Sequence, residues 1–188
     1  MQKRVFIIHG WGGSPNEGWL PWIRKELEDR DFEVHVPQMP NPENPMIKER
    51  VDFLNDLVGR PDENTYFIGH SIGGQTILRY LEKINEKVGG VFLVAGWFTL
   101  NNLEKDEGPI ARPWIETPID FEKVQANASK IVTILSDNDP YVPLKKTAKI
   151  FREKLAADVI IEKRKGHFSG EDKITAIPLL LEKILEIV

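Results

Sequence analysis

The sequence of 188 residues contains no cysteine. This absence excludes a disulfide framework, a thiolate nucleophile and a cysteine-ligated zinc site. Long apolar runs are missing too, since no stretch approaches the roughly 20 apolar residues of a membrane span. Met1 to Gly10 lacks the charged start, apolar run and small-residue cleavage site of a signal peptide. We therefore expect a cytoplasmic protein with no membrane partner.

An excess of positive charge is also missing. Lys and Arg number 25 against 29 Asp and Glu, which gives a formal net charge of -4, and the two signs are interleaved. A nucleic-acid backbone requires a basic stripe, so no nucleic-acid partner is expected. The length permits one substantial hydrophobic core and is short for two, so residues 1–188 are predicted to form a single domain.

Short apolar, β-branched runs alternate along the chain with segments whose apolar residues have helical spacing. Strands are predicted at Val5 to Ile8, Phe32 to Val36, Tyr66 to Ile68, Val91 to Val94, Ile131 to Leu135 and Val159 to Ile161. Helices are predicted at Leu20 to Arg30, Ile47 to Val58, Ile72 to Ile84, Leu144 to Leu155 and Ile174 to Ile187. This alternation is typical of an α/β fold with a doubly wound, mainly parallel sheet of about six strands and helices on both faces.

The alternation breaks once, between Gly96 and Asn127, where Gly, Pro, Asn, Trp and charged residues replace the periodic pattern. We expect this stretch to be an excursion over one end of the sheet. It could be an ordinary surface loop. Long loops without structure are uncommon in compact domains and often serve as lids, so a lid is the other possibility.

The pattern Gly-x-Ser-x-Gly, from Gly69 to Gly73, lies between a predicted strand and a predicted helix. This is the pattern of a nucleophile elbow, a tight turn that exposes the serine. The turn brings backbone and Cβ atoms close together, so both flanking positions need glycine. Ser71 would stand at the helix N-terminus, where the Ile72 N–H and the helix dipole can stabilise an oxyanion. A phosphate-binding loop would instead need Gly-Lys-Ser/Thr or Gly-x-Gly-x-x-Gly after the strand, and neither occurs.

A serine hydroxyl needs a histidine to take its proton and a carboxylate to orient that histidine. His167 follows the last predicted strand, on a loop at its C-terminal end, and is the predicted base. His35 lies inside a predicted strand and is expected to be structural. His70 is adjacent to the serine, but the turn should direct its side chain elsewhere. His9 is expected to support the loop after the first strand.

Two aspartates that follow one strand are candidates for the acid. Asp137 comes directly at the strand end and could instead bond the backbone of the turn, which is a common role of aspartate. Asp139 precedes the entry to the next helix and is the preferred acid, with Asp137 left open. The chain order Ser, Asp, His is that of α/β hydrolases.

The second oxyanion donor is expected from the glycine-rich loop after the first strand, with the Trp11 N–H as the candidate. In a doubly wound sheet the first and third strands are neighbours at the switch point, so this loop should lie beside Ser71. Aromatic side chains in or near these segments predict a cleft for an apolar acyl or aromatic group. The candidate substrate-binding residues are Trp11, His70, Trp97 and Phe168.

Four motifs are in register along the chain: His9-Gly10-Trp11-Gly12, Gly69-His70-Ser71-Ile72-Gly73-Gly74, Asp139-Pro140-Tyr141-Val142-Pro143 and Gly166-His167-Phe168. With them the chain resembles the family of small serine hydrolases that includes retinoblastoma-binding protein 9 and bacterial YdeN. The resemblance covers essentially the whole chain. It implies a compact α/β hydrolase without a large cap domain, in which Ser71, Asp139 and His167 form a catalytic triad.

The resemblance further implies hydrolysis of small ester or amide substrates through an acyl-enzyme on Ser71, and neither a metal nor an organic cofactor is implied. Retinoblastoma binding depends on a Leu-x-Cys-x-Glu motif, which a chain without cysteine cannot contain. Two other functions stay open. The same triad can serve another reaction, such as that of a lyase, a C–C hydrolase or a perhydrolase. A non-catalytic protein-interaction module is the other alternative, because a fold alone does not prove function.

Overall fold

The structure is a computed structural model that describes residues 2–188. Within that range six strands form one sheet in the order β2-β1-β3-β4-β5-β6, and every neighbouring pair is parallel. The strands are β1 Arg4–Ile8, β2 Glu33–His35, β3 Thr65–His70, β4 Gly90–Val94, β5 Ile131–Ser136 and β6 Asp158–Glu162.

Helices cover both faces of the sheet. They are α1 Leu20–Glu28, α2 Ile47–Val58, α3 Ile72–Leu81, α4 Glu107–Glu116, α5 Phe121–Ala126, α6 Leu144–Leu155 and α7 Pro178–Leu185. Alternate strand residues point to opposite faces, so Val5 and Ile7 pack with α1 and α7, whereas Phe6 and Ile8 pack with α2, α3, α5 and α6. The predicted doubly wound parallel sheet is therefore confirmed. Among the described residues, no helix is long and apolar enough to cross a membrane.

The sheet order brings the carboxyl ends of β1 and β3 together. The chain passes from β1 to β2 on one side and then returns to β3 on the other, and Ile8 pairs with Gly69 in the β1–β3 register. In open α/β sheets, ligands bind outside the carboxyl ends of the strands at this switch point. The fold therefore places the loop after β1 next to the turn that follows β3.

The last helix begins later than the sequence pattern predicts. Apolar residues have helical spacing from Ile174, but α7 starts at Pro178, and Ile177 has φ -130° and ψ 81°. A proline disfavours helical geometry in the residue before it and is itself well tolerated in the first turn of a helix. The proline therefore sets this boundary, and the apolar residues before it pack without being helical.

The excursion over residues 96–127 contains two helices, α4 and α5, that the sequence pattern did not indicate. Gly108, Pro109 and Pro113 make α4 read as a loop. Pro109 lies in the first turn, where its missing N–H has no helical partner to lose. The side chain of Asp120 caps α5 by accepting a hydrogen bond from the backbone of Lys123.

A buried arginine ties this excursion to the rest of the fold. Arg79, on α3, is 1% exposed and donates hydrogen bonds to the carbonyls of Trp114 and Thr117, at 2.9 and 2.8 Å. Those carbonyls lie at the C-terminal end of α4, where the helix dipole favours a cation. Burial lowers the pKa of Arg79. The second half of the excursion is therefore fixed against α3.

Candidate active site

The turn between β3 and α3 holds Ser71 in a strained conformation, with φ 52° and ψ -120°. A serine rarely adopts positive φ, and such strain persists only where the surroundings impose it. Here the Ser71 amide donates to the carbonyl of Val94 on β4, at 2.9 Å, and the Ser71 carbonyl accepts from Gly74 N, also at 2.9 Å. The backbone of Ser71 is therefore fixed on both sides.

Glycine is required on both sides of Ser71 because there is no room for a side chain. A Cβ at position 69 would lie 2.7 Å from Gly74 Cα, and a Cβ at position 73 would lie 2.2 Å from the carbonyl oxygen of Ile8. The close approach at position 73 brings the start of α3 against the end of β1. The glycines of the motif thus allow the turn and its packing on the sheet.

The side chains of Ser71, His167 and Asp139 form one line of hydrogen bonds. His167 Nε2 lies 2.9 Å from Ser71 Oγ, and His167 Nδ1 lies 2.8 Å from Asp139 Oδ2. The other oxygen of Asp139 accepts from the amides of Tyr141 and Val142, at 2.9 and 3.1 Å. A carboxylate only accepts, so Nδ1 carries the imidazole proton and Nε2 is left to accept the serine proton.

The competing aspartate lies elsewhere. Asp137 is exposed, and its Oδ1 accepts a hydrogen bond from Arg164 N at 2.8 Å. Its own amide donates to the carbonyl of Glu162 at 3.0 Å. This aspartate therefore holds the turn after β6 to the turn after β5, which is the backbone role that the sequence left open for it. Only Asp139 reaches the imidazole of His167.

The loop that carries His167 is held by Asp172, a residue that the sequence analysis did not single out. Asp172 Oδ2 accepts from His167 N at 2.8 Å, from Ser169 N at 3.1 Å and from Ser169 Oγ at 2.7 Å. Ser169 Oγ in turn accepts from Asp172 N at 3.2 Å. The spacing Ser-x-x-Asp, which resembles a capping box, is the sequence signal that could have revealed this loop.

His70 is buried below the imidazole of His167 and supports it. His70 Nε2 donates to the carbonyl oxygen of His167 at 2.8 Å, and the two ring centroids are 5.3 Å apart. Burial, and then the neighbouring His167, lower the pKa of His70 to about 4. His70 therefore stays neutral near pH 7 and fixes the backbone of His167.

His9 fixes the loop after β1, as expected. His9 Nδ1 donates to the carbonyl of Gly10, and Nε2 accepts from Met39 N, both at 2.9 Å. Burial is the main cause that lowers its pKa to about 4. The completely buried Arg50 donates to the carbonyl of His9 at 2.8 Å, and burial lowers the pKa of Arg50 to about 10. Sequence reasoning missed this arginine, because no periodic pattern or motif points to it.

The two predicted oxyanion donors have no other protein partner within residues 2–188. Neither Trp11 N nor Ile72 N donates to a backbone carbonyl, whereas the adjacent Gly12 N donates to Pro42 O at 2.8 Å. The indole Nε1 of Trp11 donates to Glu43 O at 3.0 Å. The loop around Trp11 is thus fixed by its neighbours while its amide remains free to bind an oxygen.

A cleft of about 470 Å³ opens above Ser71. Of the four residues predicted to bind substrate, Trp11, His70 and Trp97 line this cleft. Phe168 does not, contrary to the prediction. It is completely buried in the core, and its carbonyl accepts a hydrogen bond from the indole of Trp19 at 3.1 Å. Phe168 has φ 55°, so the chain turns sharply after His167 and sends the next side chain inward.

The wall of the cleft is acidic. Five of its residues carry a carboxylate and none is Lys or Arg; the five are Glu17, Glu43, Glu107, Glu171 and Asp172. Burial, followed by the carboxylates of Glu107 and Glu171, raises the pKa of Tyr141 in the same wall. The cleft therefore has a negative potential. In the part of the chain that the structure describes, no cluster of His, Asp and Glu is arranged to hold a metal ion.

A parallel sheet with this elbow and this hydrogen-bonded Ser-His-Asp line defines a serine hydrolase of the α/β type. A family model described as serine hydrolase matches residues 5–185, and the chain belongs to this family. It is 29% identical to YdeN of Bacillus subtilis over 188 residues, which cover 97% of this chain and 94% of YdeN. It is also 29% identical to the serine hydrolase RBBP9 of Rattus norvegicus over 174 residues, covering 90% of this chain and 89% of RBBP9.

Solved structures share the fold. The crystal structure of the ydeN gene product superposes with a TM-score of 0.90 at 28% identity, over 99% of this chain and 98% of that one. The structure from a study of carboxylesterases of the thaumarchaeon Nitrososphaera gargenis has a TM-score of 0.74 at 14% identity, over 99% and 90% of the two chains. At that identity the second likeness concerns the fold alone.

Proposed function

We propose that the protein hydrolyses small carboxylic esters through an acyl-enzyme on Ser71. His167 acts as the general base and acid, and Asp139 is the carboxylate that orients it. The observation that carries this proposal is the line of hydrogen bonds from Asp139 through His167 to Ser71 Oγ, at 2.8 and 2.9 Å. A nucleophile, a base and an orienting group within hydrogen-bond reach are what acyl transfer requires.

In the acylation step, His167 Nε2 takes the proton of Ser71 Oγ as that oxygen attacks the ester carbonyl. The negative charge that forms on the carbonyl oxygen is stabilised by two free amides, that of Trp11 in the loop after β1 and that of Ile72 at the start of α3. The carbonyl re-forms, the C–O bond to the alcohol breaks, and His167 gives its proton to the departing oxygen. Asp139 stays ionised and stabilises the imidazolium.

In the deacylation step, His167 takes a proton from water as the water oxygen attacks the acyl carbonyl. The C–Oγ bond then breaks, its electron pair goes to Ser71 Oγ, and His167 returns the proton to that oxygen. The carboxylic acid leaves and the free serine is restored. The cleft volume of about 470 Å³ suits a substrate of small-molecule size.

The choice of esters over amides is supported by the carboxylesterase likeness, which is one of fold, and by the reactivity of esters. The acidic wall further favours neutral or cationic esters over anionic ones, because like charges repel in a confined cleft. The partly exposed side chains of Trp11, Leu100 and Leu103 give the cleft apolar surface for an acyl or aryl group.

The test is labelling with a fluorophosphonate probe, followed by mass spectrometry to locate the modified residue. Wild type should be labelled at Ser71, and the label should be lost in Ser71→Ala and His167→Ala. Ser14→Ala is the matched control, since this serine lies in the loop after β1 and its hydroxyl is outside the hydrogen-bonded line. Hydrolysis of a panel of p-nitrophenyl esters and anilides should show higher rates for the esters. A folded wild type that is neither labelled nor active would refute the proposal and favour a non-catalytic role.

A further inference from the structure

The hydroxyl of Ser71 has a second ring nitrogen beside it. Trp97 Nε1 lies 3.2 Å from Ser71 Oγ, and His167 Nε2 lies 2.9 Å from the same atom. An indole N–H can only donate, so Oγ accepts the hydrogen bond from Trp97. The serine proton is therefore directed to His167, the one acceptor of the two.

The position of Trp97 is fixed by several independent features. It is 1% exposed, and its carbonyl accepts a hydrogen bond at 2.5 Å from the side chain of Gln75, which is buried on α3. Its ring packs with Ile72, Trp114 and Val142. Such packing leaves the indole little freedom to turn away from Ser71.

The chain also makes an unusual turn to bring Trp97 there. Ala95, just after β4, has φ 49°, a region that non-glycine residues rarely adopt. A Cβ at Gly96 would lie 2.9 Å from the ring of Phe151, so this position has no room for a side chain. Backbone strain of this kind is typical of functional sites.

We propose that Trp97 is a further catalytic residue, whose indole N–H stabilises negative charge on Ser71 Oγ. The inference rests on the proposed acyl transfer and deepens it. Oγ gains negative charge when its proton leaves for His167 and again when the C–Oγ bond of the acyl-enzyme breaks. The indole transfers no proton in either step and keeps its own hydrogen throughout.

The effect should be larger in deacylation than in acylation. In the free enzyme Oγ already accepts the indole hydrogen bond, so part of that interaction is present before attack. In the acyl-enzyme Oγ is an ester oxygen and a poor acceptor, and the bond strengthens only as the C–Oγ bond breaks. An interaction that is stronger in the transition state than in the ground state accelerates the step.

The test is the pre-steady-state hydrolysis of p-nitrophenyl acetate by Trp97→Phe, which keeps an aromatic ring and loses the N–H. The burst reports acylation and the steady phase reports deacylation. Hydrogen bonds to charged groups predict a loss of about tenfold or more in the deacylation rate, against a two- to threefold loss in acylation. The acyl-enzyme should accumulate, and mass spectrometry should find the acetyl group on Ser71.

Trp114→Phe is the matched control. Trp114 is equally buried in the same apolar cluster, and its indole N–H donates to Pro45 O at 2.8 Å, away from Ser71. Both rates of this variant should stay within about twofold of wild type. If Trp97→Phe does not fold, Gln75→Leu replaces it. This change removes the hydrogen bond that holds the Trp97 carbonyl, and losing the unpaired carboxamide oxygen of Gln75 offsets part of the cost of leaving that carbonyl without a partner. It should show the same selective loss in deacylation.

Unchanged deacylation in a folded Trp97→Phe would overturn the inference. So would an equal loss of both rates in Trp97→Phe and Trp114→Phe, which indicates packing, or a raised KM with unchanged kcat, which indicates substrate binding. The proposed function fails by a different result, namely a wild-type protein with neither a burst nor labelling at Ser71.

Discussion

Replacing Asp139 with asparagine should disable the site by reversing the tautomer of His167. The carboxylate accepts three hydrogen bonds, from His167 Nδ1 and from the amides of Tyr141 and Val142. An asparagine oxygen can keep the two amide donors, and its NH₂ group then faces Nδ1. Nδ1 must accept, so the imidazole proton moves to Nε2, which lies 2.9 Å from Ser71 Oγ. A protonated Nε2 cannot take the serine proton.

The expected loss in kcat is large because the base is blocked and not merely weakened. The corresponding change in the trypsin-type triad lowers kcat by about 10⁴, which equals about 5 kcal/mol of activation free energy. Folding should be affected far less. The two side chains have the same shape, and the charge-assisted bond that is lost is worth about 1.5–3 kcal/mol.

The matched control is Asp137→Asn, which removes the same charge two residues away. Asp137 is exposed and bonds only backbone groups of the neighbouring turn, so kcat/KM should stay within about twofold of wild type. The assay is p-nitrophenyl acetate hydrolysis together with the rate of fluorophosphonate labelling. The reasoning is refuted if Asp137→Asn loses as much activity as Asp139→Asn, or if folded Asp139→Asn keeps more than a tenth of the wild-type rate.

Three further predictions concern pH, backbone fit and charge. Burial holds the pKa of His70 near 4 in the folded protein, so as pH falls from 7 to 4 the imidazole of His70 is protonated first in the unfolded chain. Between pH 7 and 5 the free energy of unfolding, measured in urea, should therefore fall by about 2 kcal/mol more in wild type than in His70→Gln. Gly73→Ala places a Cβ 2.2 Å from a carbonyl oxygen and should cost about 3 kcal/mol or more of stability in thermal melts, with most of the activity. Replacing Glu107 and Glu171 with glutamine should reduce the preference in kcat/KM for a cationic over an anionic ester by about threefold per carboxylate.

Each of these has its own control. Glutamine at position 70 keeps an N–H that can reach the carbonyl of His167, so equal pH slopes in the two proteins would contradict the assignment of the titrating group. Gly108→Ala adds a Cβ that meets nothing within 4 Å, so this control should be neutral or slightly stabilising. A Gly73→Ala protein that is as stable and active as this control would refute the steric argument. Added salt should erase the charge preference in wild type, and a preference that survives 0.5 M salt would have another origin.

The sequence predicted the features that depend on residues close together in the chain, namely most strands and helices and the turn around Ser71. Strand and helix periodicity follows from burial on the two faces of the sheet. The motif around Ser71 directly predicts a tight turn, because only glycine fits at the two positions that flank the serine. His167 and Asp139 could be predicted to lie near Ser71 because both follow predicted strands, and the carboxyl ends of parallel strands meet at one edge of the sheet.

What the sequence could not show depends on contacts between distant residues. Arg50 bonds a carbonyl 41 positions away, and Trp97 reaches a serine 26 positions away. No spacing rule connects such pairs. Two prolines hid α4. Pro109 falls in the first turn, where its missing N–H is harmless, whereas Pro113 lies inside the helix, where sequence rules predict a break. Phe168 was expected in the cleft but lies in the core, because the positive φ of this residue turns its side chain inward.

Ser71 and His167, the nucleophile and the base of the proposed mechanism, follow strands with unequal support. Ser71 follows β3, which has a strand on each side, whereas His167 follows β6, an edge strand that pairs only with β5 and is partly exposed along its length. Local opening is easiest where few contacts must be broken. The turn that carries Ser71 is thus supported by a strand on each side and by its own backbone hydrogen bonds. The loop of His167 receives less support from its strand, and the hydrogen bonds from Asp172 and His70 to its backbone supply that support instead.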